Sequence, residues 1–289
     1  MAVVGASVKA LGPHYPLGEI IFFRSAFMLV PVLILAARGS SGLSVLRTRR
    51  FGAHARRAAA GALGLVSTFA TLLLLPYADA TALTFSAPLV LVALAAPLLG
   101  EHIGPYRIGA VVIGFLGVLL VVQPHAAGSA GHPNALLGVG VGILSAFGVA
   151  MAQLAVRALR AEPATTTVFY FTLFLSAASL LSLPFGWSWP RTPADAALLI
   201  TTGLVGGVAQ LALTHSYRFA DASTLAPYDY LQLVWAVLIG YVVFGETPLP
   251  LVLFGAAIVA ASGIFIALRE RALAREGVKV EDHTAAPSI

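Results

Sequence analysis

YADATAL at residues 77–83 and FADASTL at residues 219–225 are two copies of one pattern, and each copy opens a long apolar segment. Each of these segments also closes on the dipeptide GE, at residues 100–101 and 245–246. Two unrelated stretches would not share both a start and an end. The chain therefore contains an internal repeat, and the two apolar segments occupy equivalent places in it.

Further matches extend the repeat upstream of these copies. Gly61 precedes the first copy by the same distance at which Gly203 precedes the second. More weakly, PLGEIIFF at residues 16–23 parallels PATTTVFY at residues 163–170. The repeat thus reaches over most of the chain.

The composition is that of a membrane protein. Of the 289 residues, 59% are hydrophobic and 10% are charged, and the mean hydropathy is +0.92, whereas about 25% of the residues in a soluble domain are charged. A pI near 9.8 could indicate nucleic-acid binding, but most basic residues lie in short loops between apolar runs, so we expect no nucleic-acid partner. The absence of cysteine excludes disulfides and thiolate metal sites.

Runs of about 20 apolar residues predict spans of a lipid bilayer. Helices are expected because each span must satisfy its own backbone hydrogen bonds. We place ten segments near residues 1–12 (partial), 17–37, 58–76, 80–99, 105–123, 135–156, 164–184, 194–216, 222–244 and 249–268. The predicted fold class is an all-α, multi-pass membrane protein with ten transmembrane helices.

The basic residues predict the orientation of these helices. Fourteen of the 17 basic residues fall on one side: Arg38, Arg47, Arg49, Arg50, Arg56, Arg57, Arg107, Arg157, Arg160, Arg218, Arg269, Arg271, Arg275 and Lys279. The other side has Arg191, while Lys9 and Arg24 lie inside spans. Because cytoplasmic loops are enriched in Lys and Arg, both termini should be cytoplasmic, in a bacterial-type inner membrane.

The repeat divides the chain into residues 1–123 and 135–268, followed by a cytoplasmic polar tail at 269–289, which we expect to fray. Five segments in each half is an odd number, so the halves must cross the membrane in opposite directions. Such 5+5 inverted repeats are characteristic of secondary transporters, which work by alternating access around a site near the membrane midplane.

The ten segments, EIIFFRS at residues 19–25 and the paired ADA and GE blocks resemble the drug/metabolite transporter superfamily, EamA type, over essentially the whole chain. The resemblance implies a ten-helix bundle around a central cavity and the export of small metabolites. Within the family the chain is most similar to the YddG-like amino-acid exporters. Other branches move riboflavin, S-adenosylmethionine or other metabolites.

Polar side chains inside spans are costly and normally face the bundle interior, so they are the candidate site residues. Asp229 and Gln232 share a helical face, with Tyr228 and Trp235 on a neighbouring stripe. A carboxylate, an amide and two aromatic rings suit a zwitterion. The alternatives are that Asp229 is paired with Lys9 or Arg24 as a structural bridge and that the rings only pack.

Five further residues complete the candidate set. They are polar or charged and lie within spans: Gln153, Gln210, Ser86, Arg24 and Lys9. Arg24 lies about 8 Å deeper than Glu19 along the second segment. It is either a substrate ligand or an anchor at the cavity mouth.

These observations lead us to predict an exporter of amino acids or related metabolites. The alternatives are a transporter of another metabolite or of a drug-like cation such as a quaternary amine, and, less favoured, an intramembrane enzyme. An enzyme would need clustered ligands or an activated nucleophile, which the sequence lacks, so we expect no catalytic residues, metal or cofactor. Small-residue stripes in the fifth and tenth segments predict close contact between the halves, or between subunits of a homodimer.

Overall fold

The structure is a computed structural model that describes residues 1–39, 42–99, 105–126, 134–159, 161–216 and 231–284. In these ranges the regular structure is helical, without strands. The helices are α1 (Ala2–Leu11), α2 (Leu17–Arg38), α3 (Phe51–Leu74), α4 (Tyr77–Thr84), α5 (Ala87–Leu99), α6 (Pro105–Ala126), α7 (Ala135–Ala158), α8 (Ala164–Ser179), α9 (Pro193–Ser216), α10 (Leu231–Phe244) and α11 (Pro250–Thr284). Two short 3-10 helices follow α2 and α8, at Gly42–Leu46 and Leu180–Phe185.

Eight stretches within the described ranges are long and apolar enough to cross a bilayer. The helices α1 and α10 are also apolar but have 10 and 14 residues. Residues 217–230, which precede α10, lie outside the described ranges. The number of ten spans therefore stays a prediction, while an all-helical membrane protein is what the described residues form.

The predicted segment 80–99 is interrupted in the structure, where it forms α4 and α5. Ser86 lies at the interruption, and its hydroxyl donates a hydrogen bond to the carbonyl of Leu83 at 2.6 Å. Pro88 follows in the first turn of α5; it has no amide hydrogen, and its ring conflicts with a helical carbonyl at Thr84. One apolar run therefore becomes two helices that meet inside the bundle.

Two helices extend beyond their predicted bounds. The helix α3 begins at Phe51 rather than near residue 58, so Arg57, which we expected in a loop, lies inside a helix. The helix α11 continues to Thr284, although its apolar part ends near residue 268 and we expected the tail to fray. Hydropathy marks the part of a helix that lies in lipid, whereas Ala, Arg, Glu and Lys favour helix formation in water as well.

The two ends of the bundle are identified by contacts between chain segments. At the Lys9 end, Lys9 in the last turn of α1 contacts the end of α3, and Asp79 near the start of α4 contacts His125 near the end of α6. At the opposite end, here called the Glu162 end, Glu162 accepts a hydrogen bond from Thr48. Successive spans, with α4 and α5 counted as one, thus run in alternating directions between these ends.

Glycines allow the closest helix contacts. On α7, a Cβ built on Gly148 would lie 2.6 Å from the Cα of Gly64 on α3, and on α6 a Cβ built on Gly117 would lie 2.8 Å from the carbonyl oxygen of Gly255 on α11. Small residues let helix backbones approach in this way in membranes. The predicted small-residue stripes of the fifth and tenth segments therefore contact each other within one chain.

Candidate functional site

Arg24 is a buried guanidinium in the second turn of α2. Its exposed fraction is 3%, and its Nε and Nη1 atoms have no hydrogen-bond partner. Its Cζ lies 5.5 Å from the ring centroid of Phe69 on α3. Among the described residues, no carboxylate forms an ion pair with it. Because an unpaired buried charge is costly, Arg24 is the clearest candidate for binding an anionic group.

The position of Arg24 depends on a close approach of α2 and α9. A Cβ built on Gly203 would lie 2.8 Å from the carbonyl oxygen of Arg24, and a Cβ on Gly207 would lie 3.2 Å from the Cα of Met28. Between these two glycines, the Cβ position of Gly206 is 3.7 Å from the Nε of Arg24. The GLVGG sequence of α9 thus leaves the space that the guanidinium occupies.

Glu19 is not the partner of Arg24, in agreement with their five-residue spacing on α2. The side chain of Glu19 is buried at the Lys9 end, where its Oε2 accepts a hydrogen bond from the backbone amide of Ser188 at 3.1 Å. We expected Glu19 near the outer membrane interface. In the structure its side chain is also covered by the loop that contains Ser188.

Lys9 is fully engaged by other groups. Its Nζ lies 2.9 Å from Oε1 of Glu246 and donates to the carbonyls of Leu75 at 2.6 Å and Leu72 at 3.2 Å. These carbonyls belong to the last turn of α3, where the helix dipole favours a cation. The Oε2 of Glu246 in turn accepts a hydrogen bond from the backbone amide of Tyr77 at 2.6 Å. Lys9 therefore holds chain segments together at this end.

A second polar contact between side chains also lies at the Lys9 end. Asp79, from the YADATAL stretch, and His125 are both buried, and Oδ2 of Asp79 lies 3.1 Å from Nε2 of His125. The Nδ1 of His125 contacts the carbonyl of Val121 at 3.0 Å. This contact joins α4 to α6 within the first half of the chain.

The Glu162 end contains a different polar cluster. Nε2 of His54 lies 3.8 Å from Oε2 of Glu162, and Thr48 donates a hydrogen bond to the same carboxylate at 3.2 Å. Arg57, one turn after His54, is 6% exposed and places its Cζ 3.9 Å from the ring centroid of Phe171. Its Nε and Nη1 have no hydrogen-bond partner. Within the described ranges, Arg57 is thus the second buried guanidinium that forms no ion pair with a carboxylate.

The other predicted site residues are distributed over several elements. Asp229 and Tyr228 lie outside the described residues. Ser86 is buried with its hydroxyl on the backbone of Leu83, and Trp235 is 55% exposed on α10. The amides differ in burial: Gln153 on α7 is exposed, while Gln210 and Gln232 are half-buried. Their role in binding stays a prediction.

A groove of about 400 Å³ lies between α10 and α11. Its lining is apolar, with Leu231, Val234 and Val237 on one side and Ala257 and Ile264 on the other. It offers no charged group to a polar solute. Within the described ranges, no three His, Asp or Glu side chains lie close enough to hold a metal ion.

The sequence did not single out the buried side chains of Arg57, His125 and Asp79. Arg57 was counted as a loop residue because it lies among other arginines, and His125 lies just before the loop that follows α6. One signal was present for Asp79, since it belongs to the repeated ADA pattern.

The sequence profile of the EamA-like transporter family matches residues 1–123 and 134–268. Among curated relatives, a riboflavin transporter from Rhizobium johnstonii is 34% identical over 79% of this chain and 74% of its own length. An S-adenosylmethionine uptake transporter from Rickettsia conorii is 30% identical over 91% of this chain and 87% of its own. The pseudopaline exporter CntI of Pseudomonas aeruginosa is 30% identical over 91% of this chain and 90% of its own.

A solved crystal structure shares the fold with a TM-score of 0.67, at 20% identity over 93% of this chain and 96% of that one. The named relatives are transporters rather than enzymes. Because the profile matches both halves of the chain, the protein belongs to the EamA-like transporter family.

Proposed function

We propose that this protein exports amino acids, or related small metabolites that carry a carboxylate, across the bacterial inner membrane by alternating access. The observation that carries the proposal is the buried guanidinium of Arg24, whose Nε and Nη1 have no partner. A guanidinium binds a carboxylate through two parallel hydrogen bonds, and such a pair would relieve the cost of burying the charge. The other charged end of a zwitterion would then be available to Asp229, as predicted from the sequence.

The surroundings of Arg24 also fit a site between two moving parts. Phe69 comes from the first half of the chain, whereas Gly206 comes from the second half. A ligand held there would contact both halves. Transporters with inverted repeats bind their substrates at such a boundary and expose them to each side by rocking one half against the other.

The 5+5 arrangement itself is part of the proposal. The family profile matches two consecutive parts of the chain, and helices that correspond in the repeat contact each other: α2 with α8, α4 with α10, and α6 with α11. Contacts between these corresponding helices fit a two-fold relation between the halves. With both termini in the cytoplasm, as the basic residues predict, the Lys9 end faces the outside and the Glu162 end the inside.

The finer assignment to YddG-like amino-acid exporters rests on the sequence resemblance together with Arg24. The relatives are named for different substrates and for both uptake and export. Riboflavin has no carboxylate, whereas S-adenosylmethionine carries an α-amino acid group. Arg24 therefore favours an amino acid or S-adenosylmethionine over riboflavin or a quaternary amine.

Transport into proteoliposomes tests the proposal. Purified protein is reconstituted and supplied with the 20 labelled L-amino acids, S-adenosylmethionine or riboflavin, with and without an imposed pH gradient. We expect at least one compound with an α-amino acid group to enter above empty liposomes, and its carboxamide to compete far less well than the acid itself. Transport of riboflavin alone, or of amines irrespective of a carboxylate, would contradict the proposal.

A further inference from the structure

Arg57 is buried at the Glu162 end, and no carboxylate in the described part of the chain forms an ion pair with it. Its Nε and Nη1 have no hydrogen bond, and its Cζ lies 3.9 Å from the ring centroid of Phe171 on α8. A carboxylate is present at this end, but Glu162 lies against His54 and accepts a hydrogen bond from Thr48. A structural arginine would be expected to use that carboxylate. The cation–π contact alone leaves hydrogen-bonding atoms of Arg57 unsatisfied.

The side chain of Arg57 also points in an unexpected direction. An arginine near a helix end normally extends toward the nearer water, and helical side chains lean toward the helix N-terminus. Both tendencies would direct Arg57 toward the Glu162 end. Instead, its Nη1 lies 2.7 Å from the position of a Cβ on Gly61, one turn farther into the bundle. The guanidinium is therefore directed into the interior.

The repeat relates the surroundings of Arg57 to those of Arg24. A Cβ on Gly61 would lie 2.8 Å from Cε2 of Phe171, and a Cβ on its match, Gly203, would lie 2.8 Å from the carbonyl oxygen of Arg24. Residues 16–23 at the start of α2 match residues 163–170 at the start of α8. When this match is extended by one residue, Arg24 corresponds to Phe171. The contact of α3 with α8 is thus the counterpart of the contact of α9 with α2, and each contains one buried guanidinium.

We propose that Arg57 is a second binding station for the substrate carboxylate, reached from the Glu162 end, while Arg24 serves the Lys9 end. The proposal rests on the proposed function, because it requires a substrate that carries a carboxylate. Along α3, Gly61 beside Arg57 and Phe69 beside Arg24 are separated by about 12 Å. The two stations thus lie at different depths along α3, and the carboxylate passes from one guanidinium to the other as the bundle rocks.

The absence of cysteine from the chain allows a direct test with a single thiol. Phe171→Cys places that thiol beside Arg57. Inside-out membrane vesicles are treated with an anionic reagent, 2-sulfonatoethyl methanethiosulfonate, or a cationic one, 2-(trimethylammonium)ethyl methanethiosulfonate. If Arg57 attracts anions that enter from the Glu162 end, its removal should lower the ratio of anionic to cationic labelling rates by about tenfold, as expected for a nearby charge in a partly buried site.

Two variants of Arg57 and one control are compared in the Phe171→Cys background. Arg57→Gln removes the charge, and Arg57→Met removes it while keeping an unbranched apolar side chain that fills the space, so it should insert even if Arg57→Gln does not. Arg57→Lys should retain part of the anionic preference. Arg24→Gln, which removes the counterpart guanidinium, should leave the ratio at Phe171→Cys unchanged.

The results separate this proposal from the proposed function. An unchanged ratio in Arg57→Met, or labelling of Phe171→Cys from the Lys9 end alone, would overturn the second station. If amino acids are transported in the same preparation, the proposed function survives that failure. Conversely, if no carboxylate-bearing compound of the panel is transported, the proposed function fails, and a ratio that depends on Arg57 would then show an anion site that is not a station for a substrate carboxylate.

Discussion

Nζ of Lys9 lies 2.9 Å from Oε1 of Glu246, and this ion pair connects the end of α1 to the segment between α10 and α11. Lys9 also donates to the carbonyl of Leu75 at the end of α3, while Glu246 accepts a hydrogen bond from the amide of Tyr77 at the start of α4. Elements of both halves of the chain therefore meet at one junction. If the Lys9 end faces the outside, this junction must separate whenever the transporter opens outward.

Replacing either partner of this ion pair should loosen the junction. We expect Lys9→Met and Glu246→Gln each to lower the free energy of unfolding by about 1.5–3 kcal/mol, the usual loss for a hydrogen bond to a charged group. Denaturation of the purified variants in detergent measures the effect. The double variant should be no less stable than the less stable of the two single variants, because both changes remove the same ion pair. If the two losses of unfolding free energy were strictly additive, the two residues would act separately.

The charge-reversed pair provides a sharper test of the same junction. With Lys9→Glu and Glu246→Lys combined, a simple ion pair would be restored. Here we expect little recovery, because the new carboxylate at position 9 would face the carbonyl oxygens of Leu72 and Leu75, which need a donor. Recovery to the stability of the unmodified protein, measured in the same denaturation experiment, would show that the carbonyls contribute nothing.

The crossing of α3 and α7 should depend on glycine. A Cβ on Gly148 would lie 2.6 Å from the Cα of Gly64, whereas a Cβ on Gly140 of the same helix would meet no atom within 4 Å. We expect Gly148→Leu to prevent close packing and to lower the amount of folded protein in membranes severalfold. Gly140→Leu is the matched control and should accumulate normally. Equal accumulation of the two variants would contradict the crossing.

The fold was largely predictable because bilayers restrict structure so strongly. Apolar runs located the helices, and the small-residue stripes of the fifth and tenth segments predicted the close contact that α6 and α11 make. Hydropathy alone did not locate the break between α4 and α5, because the run that contains Phe85 and Ser86 stays apolar overall. The start of α3 at Phe51 was also missed, because a helix that begins with polar residues has no hydropathy signal in its first turns.

The candidate site was less predictable than the fold. Arg24 could be identified because a charge inside an apolar run is conspicuous. The partners of Lys9 could not be predicted, because Glu246 and the carbonyl of Leu75 are brought to it by packing between distant parts of the chain. Arg57 illustrates a further limit: neighbouring arginines made it resemble a topology signal, and only its burial separates it from them.

Asp229 stays the predicted ligand for the ammonium group of the substrate. We expect Asp229→Asn to reduce uptake of amino acids at least about tenfold, the loss expected when a charged hydrogen-bond partner is removed, with normal membrane insertion. Asp195→Asn is a suitable control, because Asp195 lies at the Lys9 end and accepts a hydrogen bond from Tyr15. Uptake at the unmodified rate by Asp229→Asn would assign Asp229 to a structural role.

Arg24 should show opposite effects on stability and on transport. Arg24 is buried and forms no ion pair with any carboxylate that the structure describes, and replacing buried charges with apolar side chains of similar volume is often neutral or stabilising by about 1–4 kcal/mol. We therefore expect Arg24→Met to resist denaturation at least as well as the unmodified protein. Its amino-acid uptake should fall about 10- to 100-fold, the loss expected when a charged hydrogen-bond partner of the substrate is removed.

Arg24→Lys keeps the charge but cannot form the two parallel hydrogen bonds, so it should retain a fraction of the uptake with a raised KM. The two measurements are made on the same preparations, by thermal denaturation and by proteoliposome uptake. If Arg24 were only an anchor of the bundle, Arg24→Met would unfold more readily and its remaining folded fraction would transport at the normal rate.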